Sequence, residues 1–404
     1  MSKKLTALIL IFVLCFSACS GARTDVKTPS DAEATEQFSE NTYGDGFIGA
    51  WISYIEIKSA CESEQTFTDF LALMLDNFER VGVTDVFFHV RPFADAVYPS
   101  ELFPSSSAVC ESQGDELKFD YLNVALREVV SRGMRLHAWI NPYRVSSDAD
   151  VNKLADTNKA KQWYAENSGR VLEVGSKLWL NPADNEVQKL VTDGVRELLE
   201  LYPGLSGIHI DDYFYPAELS DEDEAFYESY TASGGRLSLS EWRRENVTNL
   251  VSSLYRTVKQ FGADKLFSIS PSGKVDDCMN VSCADVELWC SSEGYCDMIL
   301  PQIYFGFENE AQPFNTCLSR WKSLCKGGSV RLIPALALYK CGSEDPYAGE
   351  KGRREWLDNS DIIKRQVLEI KREGLEGFSL YSGSYVNFSI SFYEKELDNL
   401  MSVL

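Results

Sequence analysis

Two patterns of apolar and polar residues repeat along this chain. Short apolar or alternating runs, rich in β-branched and aromatic residues, occur eight times, and amphipathic stretches separate many of them. The short runs are typical of buried β-strands. The predicted strands are Gly49 to Glu56, Val83 to Pro92, Arg135 to Arg144, Gly207 to Pro216, Leu266 to Gly273, Asp297 to Phe305, Arg331 to Lys340 and Gly377 to Tyr385.

The amphipathic stretches carry apolar residues three and four positions apart, which predicts helices that cover a sheet. Strands in alternation with helices predict an α/β fold with a parallel sheet, and eight repeats favour a closed (β/α)8 or TIM barrel with enlarged loops. A doubly wound open sheet is the alternative, but the chain lacks the glycine-rich turn expected after its first strand. The predicted helices are Phe67 to Arg80, Tyr121 to Arg132, Glu186 to Leu201, Ser240 to Phe261 and Ile362 to Glu373.

The N-terminal residues predict export from the cytoplasm. Lys3 and Lys4 precede an apolar run from Leu5 to Phe16, shorter than the ~20 residues that span a membrane. The run ends in Phe-Ser-Ala-Cys, which resembles the lipobox of bacterial lipoproteins and implies lipidation of Cys19; a plain secretory peptide with a chance cysteine is the alternative. We expect an extracytoplasmic protein that is lipid-anchored to the bacterial cell membrane.

The predicted domain organisation follows from a change in composition. Residues 1–18 form the signal peptide, and residues 19–46 form the lipidated cysteine with a polar, acidic tether that cannot bury enough apolar surface to fold. Residues 47–404 are long enough for one barrel with enlarged loops.

Charge and cysteine content narrow the range of partners. The chain has 39 lysines and arginines against 61 acidic residues, a net charge of −22, which argues against nucleic acid and against electrostatic attraction to anionic lipid. Nine cysteines follow Cys19, without metal-finger spacing. In an exported protein Cys61 with Cys110, and pairs among Cys278 to Cys325, are disulfide candidates, and the odd count leaves at least one thiol free. We expect a monomer.

The carboxyl ends of barrel strands carry the chemistry of this fold, so their polar and aromatic residues are the candidates. Aromatic rings with polar tips suit the mixed surface of a sugar, although we assign Trp51 and Phe305 to the core. The residues expected to contact substrate are His89, Arg91, Trp139, Asn141, Tyr143, Arg144, His209, Tyr213, Gln302, Tyr304 and Lys340.

The acidic doublet Asp211-Asp212 is the clearest single signal. Strand alternation directs His209 and Asp211 to one face, towards the barrel mouth, and places Asp212 at the rim. Two adjacent carboxylates repel one another and need a positive partner or a chemical role, and Arg91, Arg144 and Lys340 are available as partners. A salt-bridge cluster that ties loops together is the structural alternative.

The three histidines, His89, His137 and His209, all lie in predicted strands near this face and are candidate metal ligands together with Asp211. None shows the paired spacing of a metal-binding motif, and polar groups at barrel ends also hydrogen-bond to one another. We therefore expect no metal and no cofactor.

Several segments together resemble one family, the glycosyl-hydrolase-like ten domain of bacterial lipoproteins, which is distantly similar to the α-amylase type of barrel. The resemblance runs from Gly49 to about Tyr385. It is carried by WISY, FFHVRPFADAVYPS, LHAWINPYR, LNP, GIHIDDYFYP, WRRENV, SISPSG, PQIYF and ALALYK.

The resemblance implies a glycoside hydrolase that cleaves cell-wall glycan, namely peptidoglycan strands without stem peptides. It also implies that Asp211, in His209-Ile210-Asp211, is the nucleophile. The fifth strand departs from the α-amylase pattern because it offers serines where a glutamic acid is expected. The candidates for the second carboxylate are Asp212, Glu56 and Asp95. A non-catalytic glycan-binding lipoprotein and a metal-dependent deacetylase or amidase are the alternatives.

Overall fold

A parallel sheet of nine short strands lies at the centre of residues 46–404, the part of the chain that this computed structural model describes. The predicted signal peptide, Cys19 and almost all of the predicted tether lie outside the described residues. These nine strands and the three strands of a second, smaller sheet are β1 Phe47–Ile52, β2 Asp85–Arg91, β3 Arg135–Ile140, β4 Arg144–Ser146, β5 Val171–Val174, β6 Lys177–Leu180, β7 Gly207–Ile210, β8 Leu266–Ile269, β9 Met298–Ile299, β10 Arg331–Leu332, β11 Ala335–Ala337 and β12 Gly377–Tyr381.

The large sheet has the order β10-β9-β8-β7-β3-β2-β1-β12-β11, and its strand pairs are parallel. The fold is therefore α/β and TIM-barrel-like. Each of the eight predicted strands overlaps a strand of this sheet, although the predicted segments extend past the ends of the strands into the loops that follow.

The predicted seventh strand is divided at Pro334, which has no N–H to donate to a neighbouring strand. Its first part pairs with β9, and the Ile333 N–H donates to the Ile299 carbonyl at 2.9 Å. Its second part pairs with β12, and the Ser379 N–H donates to the Pro334 carbonyl at 3.0 Å. One segment, residues 331–337, thus supplies both edge strands of the sheet, β10 at one edge and β11 at the other.

Helices cover the outer face of the sheet, and the five predicted helices are confirmed to within a few residues at each end. Helix α2 ends at Gly82, whose φ of 82° allows its N–H to donate to the carbonyls of Glu79 and Phe78. The helices are α1 Tyr54–Ile57, α2 Glu64–Val81, α3 Tyr121–Ser131, α4 Lys159–Ala165, α5 Asn185–Leu201, α6 Glu224–Ala232, α7 Leu239–Gln260, α8 Val275–Asn280, α9 Val286–Ser291, α10 Phe314–Leu324, α11 Gly349–Gly352, α12 Glu355–Asp358, α13 Ile362–Arg372 and α14 Ser391–Met401. None of the described helices is long and apolar enough to cross a membrane.

Alternate residues of the strands build two separate cores. A small inner core contains Phe47, Trp51, Phe87 and Trp139, with Leu266, Met298, Leu300, Ile333 and Ala335. A much larger outer core fills the space between the sheet and the helices. Trp51 is thus a core residue, as expected, but its position in the inner core also brings it to the candidate site described below.

His137, which was expected near the barrel mouth, lies at the other end of the sheet. His137 and Arg135 come early in β3, and both bind Asp85, the first residue of β2, at 2.8 and 2.5 Å. Burial alone would raise the pKa of Asp85, but the hydrogen bonds from His137 and Arg135 lower it to about 2. The expectation that all three histidines lie near the catalytic face is therefore wrong for His137, which stabilises the opposite, amino-terminal end of the sheet.

A second, antiparallel sheet of order β4-β6-β5 follows β3. The predicted third strand was too long, because β3 ends at Ile140 and Arg144 begins β4 in this small sheet, opposite Trp179. The insertion therefore places Arg144 and Trp179 beside the carboxyl end of the barrel strands.

The cysteines of residues 46–404 are all free thiols, so the expected disulfides are absent from this part of the chain. The Cys61 thiol donates to the Ile57 carbonyl at 3.0 Å, and the Cys110 thiol lies 3.7 Å from the Asp115 carbonyl oxygen. Each of these two cysteines is therefore held by a backbone group.

Candidate active site

A cavity of about 120 Å³ lies at the carboxyl end of the barrel strands, where the sequence predicts the chemistry. Acidic, aromatic and amide side chains share its surface. They are Trp51, Trp139, Asp211, Asp212, Tyr213, Ser270, Gln302, Tyr304 and Tyr381. A larger depression of about 470 Å³, between Tyr98–Ser105 and Gly114–Leu117, contains none of these strand-end residues.

Asp211 follows the last residue of β7 and points into this cavity, on the same inner face as His209. Its Oδ2 accepts a hydrogen bond from the Trp139 indole N–H at 3.1 Å, and its Oδ1 accepts one from the Tyr213 backbone N–H at 3.3 Å. Trp139 is itself held by stacking on His89, with 3.6 Å between the ring centroids. The carboxyl group therefore has a fixed orientation.

Asp212 also lines the cavity, which simple strand alternation did not predict. The strand ends at Ile210, and a turn follows in which the Phe214 N–H donates to the Asp212 carbonyl at 2.9 Å. The Gln302 side chain hydrogen-bonds to the Asp212 carboxyl group, and the Gln302 amide also donates to the Ser270 carbonyl at 3.0 Å. Because the backbone bends here, two adjacent residues present their carboxyl groups to one cavity.

The electrostatics of this pair favour a shared proton. Burial raises the pKa of Asp211 well above its ordinary value, and the neighbouring Asp212 raises it further. Burial also raises the pKa of Asp212. Two carboxyl groups side by side do not both ionise readily, so one of them keeps its proton to a higher pH than the other.

The floor of the cavity is made of hydrogen-bonded core residues. His209 is fully buried, its Nε2 accepts from the Trp51 indole N–H at 3.1 Å, and its Nδ1 lies 2.8 Å from the Ser268 hydroxyl. Burial and the nearby His137 lower the pKa of His209 well below its ordinary value, so the ring is neutral. Both ring nitrogens are thus engaged within the protein, and His209 supports Trp51 rather than contacting the cavity.

The set of metal ligands considered from the sequence does not assemble. His137 binds Asp85, and His209 binds Trp51 and Ser268. In residues 46–404 no three His, Cys, Asp or Glu side chains converge in a way that could hold a metal ion.

Two of the acids proposed as second carboxylate lie outside the cavity lining. Glu56 is in α1, where it accepts hydrogen bonds from the Ser53 N–H at 2.6 Å, the Ser384 N–H at 2.6 Å and the Ser382 hydroxyl at 2.9 Å. Asp95 is buried in the loop after β2, where it accepts from the Gln113 amide at 3.1 Å, and burial raises its pKa to about 6. The structure therefore brings only Asp212 to Asp211.

Four of the predicted substrate contacts are also directed elsewhere. Arg91 packs over the Phe103 ring at 4.3 Å, and Lys340 binds Asp345 and the Tyr304 carbonyl. The Asn141 amide donates to the Pro92 carbonyl, and the Tyr143 side chain is fully buried. Each of these residues ends or follows a strand, but its side chain turns outwards or binds a loop. The position of a residue along a strand does not by itself predict that direction.

The remaining predicted contacts do surround the cavity. Trp139, Tyr213, Gln302 and Tyr304 line it, and His89 supports Trp139 from behind. Arg144 lies against the Tyr213 ring, with its guanidinium carbon 4.2 Å from the ring centroid.

Three cavity residues were not among the predicted substrate contacts: Trp51, Ser270 and Tyr381. Alternation along β1 and the position of Tyr381 at the end of β12 are the signals that point to two of them. The Tyr304 and Tyr381 rings stack at 5.7 Å between centroids and form one wall of the cavity.

Parallel barrels that hold a pair of carboxyl groups among aromatic side chains at this end of the sheet form a large class of sugar-cleaving enzymes, and the fold and the cavity place this protein in that class. Comparison with known proteins gives the particular family. The family model described as "Glycosyl hydrolase-like 10" matches residues 49–350, so the chain belongs to the glycosyl hydrolase-like 10 family.

Curated relatives carry the same enzyme class in their names. The chain is similar to glycosyl hydrolase DigH of Escherichia coli (strain K12), with 29% identity over 338 residues that cover 78% of this chain and 75% of that protein. It is also similar to glycosyl hydrolase YngK of Bacillus subtilis (strain 168), with 29% identity over 76% of this chain and 62% of that protein.

Solved structures share the fold at low sequence identity. The glycoside hydrolase domain of PgaB (BpsB) from Bordetella bronchiseptica has a TM-score of 0.58 and 14% identity, covering 88% of this chain and 98% of that domain. The catalytic domain of β-amylase from Paenibacillus polymyxa has a TM-score of 0.55 and 10% identity, covering 89% of this chain and 98% of that domain. These likenesses support the TIM-barrel-like fold.

Proposed function

We propose that this protein hydrolyses the glycan strands of the bacterial cell wall, specifically peptidoglycan from which the stem peptides have been removed, with Asp211 and Asp212 as the reacting pair. The observation that carries the proposal is the presence of two carboxyl groups with raised pKa values in one aromatic-lined cavity. A glycosidase needs one protonated and one ionised carboxyl group at the bond that it cleaves.

In this reaction the protonated member of the pair donates its proton to the glycosidic oxygen as the bond to the leaving sugar breaks. The ionised member stabilises the positive charge that develops at the anomeric carbon, and it either attacks that carbon or activates a water molecule. Sharing of one proton between Asp211 and Asp212 prepares both forms before substrate binds.

The aromatic side chains support a sugar as the ligand. Trp51, Tyr304 and Tyr381 give the cavity flat apolar faces, and Asp211, Asp212 and Gln302 supply polar atoms beside them. A pyranose ring has apolar C–H faces and hydroxyl or acetamido groups at its edge, which this mixture complements.

The choice of cell-wall glycan rests on the predicted export signal and on membership of the glycosyl hydrolase-like 10 family. We propose that Cys19 is lipidated and holds the enzyme on the outer side of the membrane, where wall glycan is found. Replacement Cys19→Ser should release the protein from the membrane fraction into the soluble fraction. Retention of the Cys19→Ser protein in the membrane fraction would contradict the anchor.

The enzymatic proposal is tested with purified protein and two substrates, denuded glycan strands and intact peptidoglycan. Mass analysis of the soluble products and an assay of new reducing ends should show cleavage of the denuded strands. Asp211→Asn and Asp212→Asn should each lower kcat by at least about a thousandfold, since each removes a group that reacts directly.

Asp95→Asn is the matched control, because it makes the same change at a buried acid outside the cavity lining. Its activity should stay close to that of the unmodified protein. Full activity of Asp211→Asn would overturn the assignment. Retention of glycan in a pull-down without new reducing ends would instead support a glycan-binding protein.

A further inference from the structure

Arg144 is held at the edge of the catalytic cavity by two aromatic rings. Its guanidinium carbon lies 4.5 Å from the Phe93 ring centroid and 4.2 Å from the Tyr213 ring centroid, and Tyr213 lines the cavity. Strand β4 fixes its backbone opposite Trp179 in the small antiparallel sheet. The side chain is half-buried, so one part remains open to a ligand.

The Arg144 guanidinium has no anionic partner among residues 46–404. Within residues 46–404 it has no carboxylate oxygen within the 4.0 Å of an ion pair, whereas Lys340 binds Asp345 at 2.7 Å and Arg170 binds Asp184 at 3.2 Å. The chain carries 61 acidic residues against 39 basic ones, so acids to pair with are abundant. None of the described acids is close enough to Arg144 to form an ion pair with it.

Arg144 nevertheless acts on the reacting pair. Burial raises the pKa values of Asp211 and Asp212, and the charge of Arg144 opposes that rise at both groups. The same charge lowers the pKa of His89, after the larger effect of burial. The guanidinium also packs against Tyr213, which lines the cavity, so it lies at the edge of the space that a bound sugar would occupy.

A guanidinium group stacked between rings presents its N–H groups edge-on, in the plane that matches the two oxygens of a carboxylate. Removal of the stem peptide from peptidoglycan leaves a free carboxylate on the lactyl group of each muramic acid. When the peptide is attached, that carboxylate is an uncharged amide.

We propose that Arg144 binds the free lactyl carboxylate of a muramic acid residue and thereby selects glycan strands without stem peptides. This inference rests on the proposed function, and it assigns a substrate group and a specificity-determining residue to the same site. Neutral amino-sugar glycans and peptide-bearing strands lack the anion that Arg144 would bind.

The test compares two forms of one substrate. Denuded strands are used directly, and a second portion is treated with carbodiimide and methylamine, which converts the lactyl carboxylates to neutral amides. The unmodified enzyme should cleave the amidated strands with a kcat/KM that is about tenfold to a hundredfold lower, mostly through KM, because a charge-assisted contact is lost.

Arg144→Gln should lower kcat/KM on the carboxylate form by a larger factor than on the amidated form, so that the preference for the carboxylate form is lost. Arg144→Lys, which keeps the charge but loses the planar fork, should fall between the two. Arg127→Gln makes the same change on exposed helix α3 and is the matched control; it should retain the preference for the carboxylate form.

Each other outcome is decisive. Equal cleavage of both forms by the unmodified enzyme would overturn the inference but not the proposed function. This comparison uses only the unmodified enzyme, so it does not depend on whether a variant folds. An equal loss on both forms in Arg144→Gln, together with a shifted pH profile, would mean that Arg144 acts only through its charge on the two acids. No cleavage of either form would overturn the proposed function itself.

Discussion

At the scale of single residues, the site depends on hydrogen bonds that fix the two carboxyl groups. The Trp139 indole N–H donates to Asp211 Oδ2 at 3.1 Å, and this contact favours the ionised form. Burial acts in the opposite direction and dominates, which keeps the pKa of Asp211 high. Trp139 is thus a positioning residue that also limits the rise in the pKa of Asp211.

Trp139→Phe removes the indole N–H and keeps an aromatic ring beside His89. We expect the pKa of Asp211 to rise further, so that the ionised member of the pair forms at higher pH. The acidic limb of the kcat profile should then move upwards by about one pH unit, and kcat at a given pH on that limb should fall roughly tenfold.

Trp179→Phe is the matched control, because its buried indole N–H has no acceptor among the described residues. A pH profile in Trp139→Phe that matches the unmodified enzyme would show that the indole N–H does not influence the pair.

Residue-level prediction from sequence succeeds where a regular strand continues and fails where it ends. Alternation along β7 places His209 and Asp211 on the inner face, as the structure confirms. Asp212 and Arg144 follow strand ends, and a bend or a new strand decides their directions. His137 is the third residue of β3, so its place in the strand already indicated the amino-terminal end of the sheet rather than the barrel mouth.

At the scale of elements, the pattern of apolar residues predicts the strands and helices of the large sheet. Pro334 predicts a break in this strand, because proline has no N–H to donate. The pairing of β10 with β9 and of β11 with β12 depends on the arrangement of the whole sheet, which the local pattern does not contain. The small β4-β6-β5 sheet was missed because it consists of strands of three or four residues. Short strands are stabilised by their surroundings, which a local pattern does not contain.

Glu56 illustrates how an acid at a strand end can serve the fold. It accepts hydrogen bonds from the loop after β1 and from the loop after β12, and so joins neighbouring loops at the barrel rim. Glu56→Gln replaces one acceptor oxygen by an N–H₂ group that meets N–H donors. We expect the free energy of unfolding to fall by about 1–3 kcal/mol, measured by urea denaturation.

The kcat of Glu56→Gln should stay within a fewfold of the unmodified value below the unfolding transition. A variant of unchanged stability and with kcat reduced a thousandfold would instead restore Glu56 as a catalytic acid.

At the scale of the whole molecule, the balance of buried acids makes stability depend on pH. Burial raises the pKa of Asp95 to about 6 and that of Glu396 to about 7, and it also raises the pKa values of Asp211 and Asp212. A carboxyl group with a raised pKa binds its proton more tightly in the folded state than in the unfolded state. Below about pH 4 such groups are protonated in both states and do not lower the free energy of unfolding. As the pH rises from there through the pKa of the folded state, they lower the free energy of unfolding progressively.

Glu396 offers a test of this dependence away from the active site. It is fully buried in α14, one carboxyl oxygen accepts from the Ile363 N–H at 2.6 Å, and the other has no partner among the described residues. Since its pKa is near 7 when folded and about 4.3 when unfolded, ionisation at pH 8 costs roughly 3 kcal/mol of stability.

Glu396→Gln keeps an oxygen for Ile363 and removes the charge, so its Tm should exceed that of the unmodified protein at pH 8, with a difference that shrinks towards pH 5. Glu394→Gln, an exposed neighbour in the same helix, is the matched control and should change Tm little at either pH. A Tm difference for Glu396→Gln that is the same at pH 5 and pH 8 would contradict a raised pKa at Glu396. It would mean that the neighbouring helix N-terminus of α13 stabilises the charge as well as water does.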